Sequence, residues 1–242
     1  MTTILNNIAE LRVKLFADGA DLNTIVALSE NPTIKGFTTN PTLMKLAGVT
    51  DYLKFAREAI SKIGGRPLSL EVFSDDFFEM KRQALKLSAL APNVYVKIPI
   101  TNTNGESAQH LITELSKEGV KVNVTAIFTI EQIQHVLPGI TAGPSGYLSV
   151  FAGRIADAGI DPVPTMSKAV KLIENTPQIE LIWASPREAL NIIQADECGC
   201  HIITLTHDLI KKSTSLGKDL LEFSIDTVKM FANDARNAGF EL

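Results

Sequence analysis

The stretch Val94–Pro99, with the sequence VYVKIP, places a lysine inside a run of apolar residues of the kind that form β-strands. An ammonium group in such a segment is costly unless it loses its proton or finds a partner of opposite charge. A neutral lysine amine attacks carbonyl carbons, so Lys97 indicates imine chemistry. The simpler alternative is that Lys97 lies at a strand end and reaches into water. The rest of the chain distinguishes the two.

This run is the fourth of eight apolar or β-branched runs that start about every 22 to 33 residues, the length of a strand, a helix and their loops. Most are continuous rather than alternating, as in parallel strands that are covered on both faces. The runs are Val13–Ala17, Gly36–Thr39, Leu68–Phe73, Val94–Ile98, Val120–Thr125, Tyr147–Phe151, Ile179–Trp183 and His201–Leu205. Eight such units without a break in composition predict an α/β protein, a closed (β/α)8 TIM barrel rather than an open doubly wound sheet.

The whole chain, residues 1–242, is expected to form a single TIM-barrel domain with one additional C-terminal helix at about 218–238. Apolar residues recur on one side of this helix, namely Leu221, Ile225, Val228 and Phe231. Such a face docks either on the barrel or on a neighbouring subunit, and the sequence leaves both open.

Two helices of the barrel itself have readable patterns. Asp75–Ala91 carries Phe78, Leu85 and Leu87 among charged residues, which predicts an amphipathic helix. After the seventh strand, Pro186 fits the first position of a helix with Ser185 as its N-terminal cap.

Composition excludes several classes of function. The chain is 45% hydrophobic and 21% charged, with a net charge of −4, so nucleic acid and membrane are not expected partners. No apolar stretch is long enough to cross a membrane, and Met1–Glu10 lacks the pattern of a secretory signal. The four histidines and two cysteines show no metal-ligand spacing. These features predict a cytoplasmic protein without a bound metal.

Polar residues lie within or just beyond the predicted strands, toward the ends where TIM barrels place their active sites. Each alone has an ordinary alternative role as a helix cap, a turn residue or a solvated charge. Together they predict one network at the mouth of the barrel, because buried polar groups need partners. The polar candidates are Asp18, Thr38, Asn40, Glu71, Lys97, Asn123, Thr125, Ser149, Arg154, Ser185 and Arg187, and the apolar Phe151 lies among them on the sixth strand.

This set of side chains suits chemistry around an imine. Lys97 would attack a ketone, with Asp18 or Glu71 moving protons as the imine forms. The protonated imine then withdraws electrons, which permits cleavage of the adjacent carbon–carbon bond. Arg154 and Arg187 can hold an anionic group such as a phosphate.

Five motifs in this chain resemble successive signatures of the transaldolase family. They are Gly36–Leu43 (GFTTNPTL), Val96–Pro99 (VKIP), Asn123–Thr125 (NVT), Ser149–Arg154 (SVFAGR) and Ala184–Arg187 (ASPR). The resemblance runs from about Val13 to the C-terminal end and preserves the order of the motifs. The length of the chain is similar to that of the small branch of the family, which also contains fructose-6-phosphate aldolases.

The resemblance implies a role for each matching position. Lys97 would form the Schiff base, and Asp18 would exchange the proton of the C4 hydroxyl. Glu71 and Thr125 would hold the water that is used in imine formation and hydrolysis. The residues implied for the donor sugar are Thr38, Asn40, Asn123 and Ser149, and those implied for phosphate are Arg154, Ser185 and Arg187. No metal or organic cofactor is implied, and the small branch assembles into pentamers or decamers.

Two positions bear on the activity within the family. The aldolases typically carry Gln on the third strand and Tyr on the sixth, where this chain has Glu71 and Phe151. This pattern implies a transaldolase of the pentose phosphate pathway, which transfers a dihydroxyacetone unit from fructose 6-phosphate or sedoheptulose 7-phosphate to erythrose 4-phosphate or glyceraldehyde 3-phosphate. The first alternative is a fructose-6-phosphate aldolase, a lyase that releases dihydroxyacetone. The second is a sugar-phosphate-binding barrel without catalysis, against which Lys97, Asp18 and Glu71 argue.

Overall fold

Eight parallel strands form the centre of the protein in this computed structural model, which describes residues 10–241. They are β1 (Lys14–Asp18), β2 (Ile34–Thr38), β3 (Leu68–Glu71), β4 (Val94–Pro99), β5 (Val122–Ile127), β6 (Gly146–Val150), β7 (Ile179–Trp183) and β8 (Ile202–Thr206). The strands pair in chain order, and β1 pairs with both β2 and β8, so the sheet closes on itself. The predicted (β/α)8 barrel is confirmed. Of Met1–Glu10, whose sequence lacks the pattern of a secretory signal, all but Glu10 lies outside the described residues.

Helices follow the strands and cover the barrel. Within residues 10–241 they are α1 (Leu22–Ser29), α2 (Pro41–Leu46), α3 (Tyr52–Lys62), α4 (Phe77–Ser88), α5 (Gln109–Lys117), α6 (Ile130–Ile140), α7 (Ala152–Asp157), α8 (Val163–Ile173), α9 (Leu190–Glu197), α10 (His207–Ser213) and α11 (Leu220–Ala238). Two helices follow β2 and two follow β6, and one of each pair, α2 or α7, begins at the mouth of the barrel. None of these helices is long and apolar enough to cross a membrane.

Alternate residues along each strand face the helices or the barrel interior. The outward set forms the main core with the helices and includes Leu70, Val96, Val124, Leu148 and Trp183. Because the strands are apolar on the outside and packed on the inside, they appear in the sequence as continuous apolar runs.

Aromatic side chains close the lower half of the barrel interior. Tyr95 stacks on Tyr147 with ring centroids 4.0 Å apart, and Phe16 meets Tyr147 edge-on at 5.9 Å. On β2 the neighbouring interior position is Gly36, where a Cβ atom would lie 2.5 Å from the Phe16 ring. Glycine is therefore needed there for Phe16 to fill the interior. The aromatic layer forms a floor beneath the upper half of the barrel.

The helix predicted within Asp75–Ala91 is confirmed as α4, and Leu87 packs in the core with Met80 and Ala84. Phe78 and Leu85 face outward instead, with 80% and 38% of their surface exposed. The predicted start of the helix after the seventh strand was wrong. Ser185 does not cap a helix at Pro186, because α9 begins only at Leu190. The backbone of Ser185 adopts a φ of +60°, which is incompatible with a helix start.

The C-terminal helix is confirmed as α11, and it begins two residues later than predicted. The Asp219 carboxylate caps its N-terminal end by accepting from the N–H groups of Leu221 and Glu222, and Gly239 ends it with a φ of +66°. None of its residues is buried. Its apolar face therefore does not dock on the barrel of the same chain. That the chain forms one domain stays a prediction.

Candidate active site

A cavity of about 450 Å³ opens at the carboxyl ends of the strands. Ten of the twelve candidate residues line it, and they are Asp18, Thr38, Asn40, Glu71, Lys97, Thr125, Ser149, Phe151, Arg154 and Ser185. The other two candidates do not line it. Asn123 is fully buried below the cavity, and the side chain of Arg187 is turned toward Asp157. The aromatic floor closes the cavity from beneath.

Lys97 and Glu71 form a buried ion pair at the bottom of this cavity. They are neighbours on the adjacent strands β4 and β3, and their side chains are 10% and 9% exposed. The Nζ atom of Lys97 donates to Oε1 of Glu71 at 2.8 Å and to the backbone carbonyl of Thr39. The Thr39 hydroxyl donates to the other carboxylate oxygen of Glu71 at 3.3 Å. Lys97 therefore does not extend into water, and its partners fix the direction of its amine.

Burial raises the pKa of the Glu71 carboxyl to about 7, although the charge of Lys97 and its hydrogen bond act in the opposite direction. A carboxyl group with such a pKa exchanges its proton readily near neutral pH. Glu71 can therefore both accept and return a proton 2.8 Å from the lysine amine.

The pH dependence of stability tests this pKa. Because the folded protein binds the Glu71 proton more tightly than the unfolded chain, the free energy of unfolding should fall by about 3 kcal/mol between pH 4.5 and pH 8 from this group alone. Glu71→Gln should flatten the curve by that amount, measured by urea unfolding across the range. Parallel curves for the two proteins would show that the pKa of Glu71 is ordinary.

Asp18 lies at the end of β1 and lines the same cavity. Its Oδ1 atom accepts from the Thr38 hydroxyl at 2.8 Å, and its Oδ2 atom accepts from the Asn40 amide at 3.2 Å. Desolvation raises the pKa of Asp18 above its ordinary value, while the charge of Lys97 and both hydrogen bonds lower it. The site thus holds a second carboxyl group that can exchange protons, separate from the Lys97–Glu71 pair.

Asn40 is oriented by the helix that follows it. Its Oδ1 atom accepts from the N–H of Leu43 at 2.9 Å and caps α2, which directs its amide nitrogen toward Asp18. The side chain of Asn40 therefore caps α2 and contacts Asp18 at the same time.

A buried polar layer lies directly beneath the ion pair. The amide of Asn123 donates to the hydroxyl of Ser69 at 3.0 Å and accepts from the hydroxyl of Ser149 at 2.7 Å. This chain of hydrogen bonds links β3, β5 and β6 across the barrel. Asn123 thus holds Ser149 at the cavity wall without lining the cavity itself.

Two loops meet at the rim of the cavity. A Cβ atom on Gly153 would lie 1.5 Å from the carbonyl oxygen of Ser185, so only glycine allows the loops after β6 and β7 to approach this closely. The approach brings Ser185 beside Arg154, whose guanidinium lies 5.6 Å from the centroid of the Phe151 ring. Arg154 is exposed and carries a positive charge at the rim. None of the ion pairs within residues 10–241 includes Arg154.

The strand β5 is distorted where it reaches the cavity. Its register with β6 shifts between Val124 and Ile127, and Ala126 has a φ of +59°. Such a backbone conformation is strained for a residue with a side chain and is typical of functional sites. Both Thr125 and Ala126 line the cavity at this bulge.

Comparison with known proteins identifies the family to which the chain belongs. The family model described as Transaldolase/Fructose-6-phosphate aldolase matches residues 15–242. The chain belongs to this transaldolase/aldolase family. The similar relatives include a protein named "Probable transaldolase" from Thermoanaerobacter sp. (strain X514), which is 34% identical over 95% of this chain and 100% of its own length. "Probable transaldolase 2" from Listeria monocytogenes is 36% identical over 83% of this chain and 88% of its own length.

Solved structures of low sequence identity share the barrel of this transaldolase/aldolase family member. The structure titled "Native KDPGal structure" has a TM-score of 0.55 at 11% identity and covers 91% of this chain and 97% of its own. A crystal structure of 2,3-dimethylmalate lyase has a TM-score of 0.51 at 13% identity and covers 96% and 86%. These likenesses support the (β/α)8 fold alone.

Sequence reasoning missed several residues of the site in this family member. Thr204 and Thr206 line the cavity from β8, and the hydroxyl of Thr204 lies 2.6 Å from that of Thr38. Their spacing of two along the last strand could have revealed them, because alternate residues face the same side. Tyr52, whose hydroxyl contacts the backbone of Glu71, lies on α3 and shows no signal in the sequence. Within the described residues, no group of three or more His, Cys, Asp or Glu side chains could hold a metal ion.

Proposed function

We propose that the protein is a transaldolase, which transfers a dihydroxyacetone unit between sugar phosphates through a Schiff base on Lys97. The observation that carries this proposal is the buried ion pair of Lys97 and Glu71, with Nζ and Oε1 2.8 Å apart, in a cavity that also contains Asp18. An amine with two proton-exchanging carboxyl groups is the set of groups that imine formation and carbon–carbon cleavage require. Family membership supports the same conclusion.

Imine formation begins when Lys97 passes a proton to Glu71 and the free amine attacks C2 of a ketose phosphate. A proton from the attacking nitrogen moves to the C2 oxygen, which becomes the hydroxyl of a carbinolamine. Glu71 then gives its proton to that hydroxyl, which leaves as water as the protonated imine forms. The pKa of about 7 at Glu71 suits both steps, because the carboxyl is readily protonated and deprotonated near neutral pH. Thr125, at the bulge of β5, lines the cavity where this water would be held.

Cleavage follows at Asp18. Asp18 takes the proton of the C4 hydroxyl, the C3–C4 bond breaks, and its electron pair moves into the imine to form an enamine. The aldose phosphate then leaves. An acceptor aldehyde is attacked by C3 of the enamine, and Asp18 returns its proton to the new alkoxide. Thr38 and Asn40 orient Asp18 for this exchange through their hydrogen bonds.

The hydroxyl and phosphate groups of the substrate are assigned to the remaining residues. We propose that Ser149, held by Asn123, binds a hydroxyl of the donor, and that Arg154 and Ser185 bind phosphate at the rim. Arg187 lies at the same rim, where its Cγ atom lies 3.4 Å from the position of a Cβ on Gly153 and its guanidinium pairs with the Asp157 carboxylate. No metal or organic cofactor takes part in the proposed reaction.

A fructose-6-phosphate aldolase is the second candidate, because the family model covers both activities. Glu71 and Phe151 favour the transaldolase, since they follow its pattern on the third and sixth strands. Product formation from fructose 6-phosphate with and without erythrose 4-phosphate separates the two. A transaldolase produces sedoheptulose 7-phosphate and requires the acceptor. Release of dihydroxyacetone at the same rate in its absence would overturn the proposal in favour of the lyase.

Replacing Phe151 by tyrosine should shift the balance toward cleavage. The added phenol places a proton donor at the cavity wall, where it can support protonation of the enamine by solvent and release of dihydroxyacetone. We expect the ratio of aldolase to transaldolase rates to rise by about tenfold, measured in coupled assays with and without acceptor. Phe128→Tyr, at the neighbouring ring 5.8 Å away, is the matched control. An unchanged ratio in Phe151→Tyr would contradict the argument.

The setting of the reaction is also a proposal. We propose a cytoplasmic enzyme of the pentose phosphate pathway that acts as a homo-oligomer, a pentamer or decamer, and as one domain over residues 1–242. The uncovered apolar face of α11, which includes Leu221 and Val228 at 71% and 63% exposure, supports association between subunits. A monomeric mass in solution would contradict the oligomer.

A further inference from the structure

The backbone pairing between β2 and β3 stops just below the active site. The N–H of Phe37 donates to the carbonyl of Pro67 at 2.8 Å, and the N–H of Thr39 donates to the carbonyl of Ser69 at 3.2 Å. The next donor in this series would be the N–H of residue 41, which is a proline and has none. The carbonyl of Glu71 therefore cannot find its partner in β2.

The side chain of Tyr52 occupies the position of the missing pairing. From α3, outside the barrel, its hydroxyl accepts from the N–H of Glu71 at 2.8 Å and donates to the carbonyl of Glu71 at 3.2 Å. One hydroxyl thus satisfies both backbone groups that the end of β2 would otherwise pair. The ring of Tyr52 is held by an edge-on contact with Phe73, with centroids 4.5 Å apart.

The hydrogen bond from the Glu71 N–H to Tyr52 leaves the backbone carbonyl of Thr39 free for Lys97. In a continued ladder the carbonyl of Thr39 would accept from the N–H of Glu71. Because Tyr52 takes that N–H, the Thr39 carbonyl accepts from Nζ of Lys97 instead. The amine of Lys97 is consequently fixed by two acceptors, the Thr39 carbonyl and the Glu71 carboxylate.

We propose that Tyr52 is a positioning residue for the Schiff-base reaction, which it supports by replacing the last β2–β3 backbone pair and so reserving the Thr39 carbonyl for Lys97. This inference rests on the proposed function of Lys97. In Tyr52→Phe the end of β3 regains a partner for its N–H by taking the Thr39 carbonyl. The lysine amine then loses one of its two acceptors, and with it the orientation needed for attack on C2.

The experiment follows imine formation by borohydride trapping of fructose 6-phosphate on the full chain, as a function of pH. In Tyr52→Phe we expect the plateau rate to fall about tenfold. We also expect the midpoint of the acid limb to move to lower pH by about half a unit, because the Lys97–Glu71 pair holds its proton with one hydrogen bond fewer. The matched control is Tyr95→Phe, which removes a hydroxyl that is 2.9 Å from Ser145 near the floor of the barrel. It should leave both the rate and the midpoint unchanged.

Each outcome decides a separate point. A slower plateau together with a displaced midpoint in Tyr52→Phe alone supports the inference. A slower plateau with an unmoved midpoint would overturn it, because a merely structural loss reduces the active fraction at every pH. Wild-type behaviour in Tyr52→Phe, or an equal effect of Tyr95→Phe, would overturn it as well. Absence of trapping at Lys97 in the wild-type protein would instead refute the proposed function.

Discussion

Replacing Lys97 by methionine is expected to abolish transaldolase turnover, with a loss of at least about 1,000-fold. Methionine fills a similar volume but has no amine, so no imine can form and no group remains to receive the electrons of the C3–C4 bond. General acid–base groups at Asp18 and Glu71 cannot replace that covalent step. The rate should be measured with fructose 6-phosphate and erythrose 4-phosphate under saturating conditions.

The control for this prediction concerns folding. Lys97 is the ion-pair partner of Glu71, so its removal leaves a buried carboxyl that becomes neutral at pH 7 rather than remaining charged. The double variant Lys97→Met/Glu71→Gln removes that carboxyl, and it should be as inactive as the single variant while melting at least as high. Turnover within about tenfold of wild type in either variant would exclude Lys97 as the nucleophile.

Asp18→Asn is expected to reduce turnover by about 100-fold to 10,000-fold while leaving imine formation intact. The amide can still accept from Thr38, but it cannot take the proton of the C4 hydroxyl. The imine with the intact ketose phosphate should therefore accumulate. Borohydride reduction should yield a six-carbon phosphorylated adduct in this variant, where the wild-type protein yields a three-carbon adduct.

The identity of the adduct distinguishes the role of Asp18 from that of Glu71. Glu71→Gln should slow formation of any adduct, because its carboxyl lies beside the amine at 2.8 Å, whereas Asp18→Asn changes the adduct that forms. Mass spectrometry of the reduced proteins distinguishes the two cases. A three-carbon adduct that forms at the wild-type rate in Asp18→Asn would show that another group removes the C4 proton.

The barrel could be predicted from the sequence because its strands are packed on both faces. Continuous apolar runs such as Val94–Pro99 identify the strands, and their regular spacing fixes the eight-unit architecture. Polar residues such as Lys97 and Asn123 interrupt these runs. They could be placed near one another because the carboxyl ends of parallel strands lie on the same side of the barrel. The order of the strands follows from short connections between neighbours.

The remaining details depend on contacts between distant parts of the chain. On α4, one stripe contains Phe78 and Leu85 and another contains Met80 and Ala84, and only packing against the barrel decides that the second is buried. The conformation of Ser185 depends on the close approach of Gly153, which lies 32 residues away in the chain. No local pattern reports such contacts.

The most direct test of the central claim is peptide mapping of the wild-type protein after incubation with fructose 6-phosphate and reduction with borohydride. We expect a three-carbon dihydroxyacetone adduct on the peptide that contains Lys97, and no such adduct in Lys97→Met. An adduct on any other lysine, or an unmodified chain under conditions of active turnover, would contradict it.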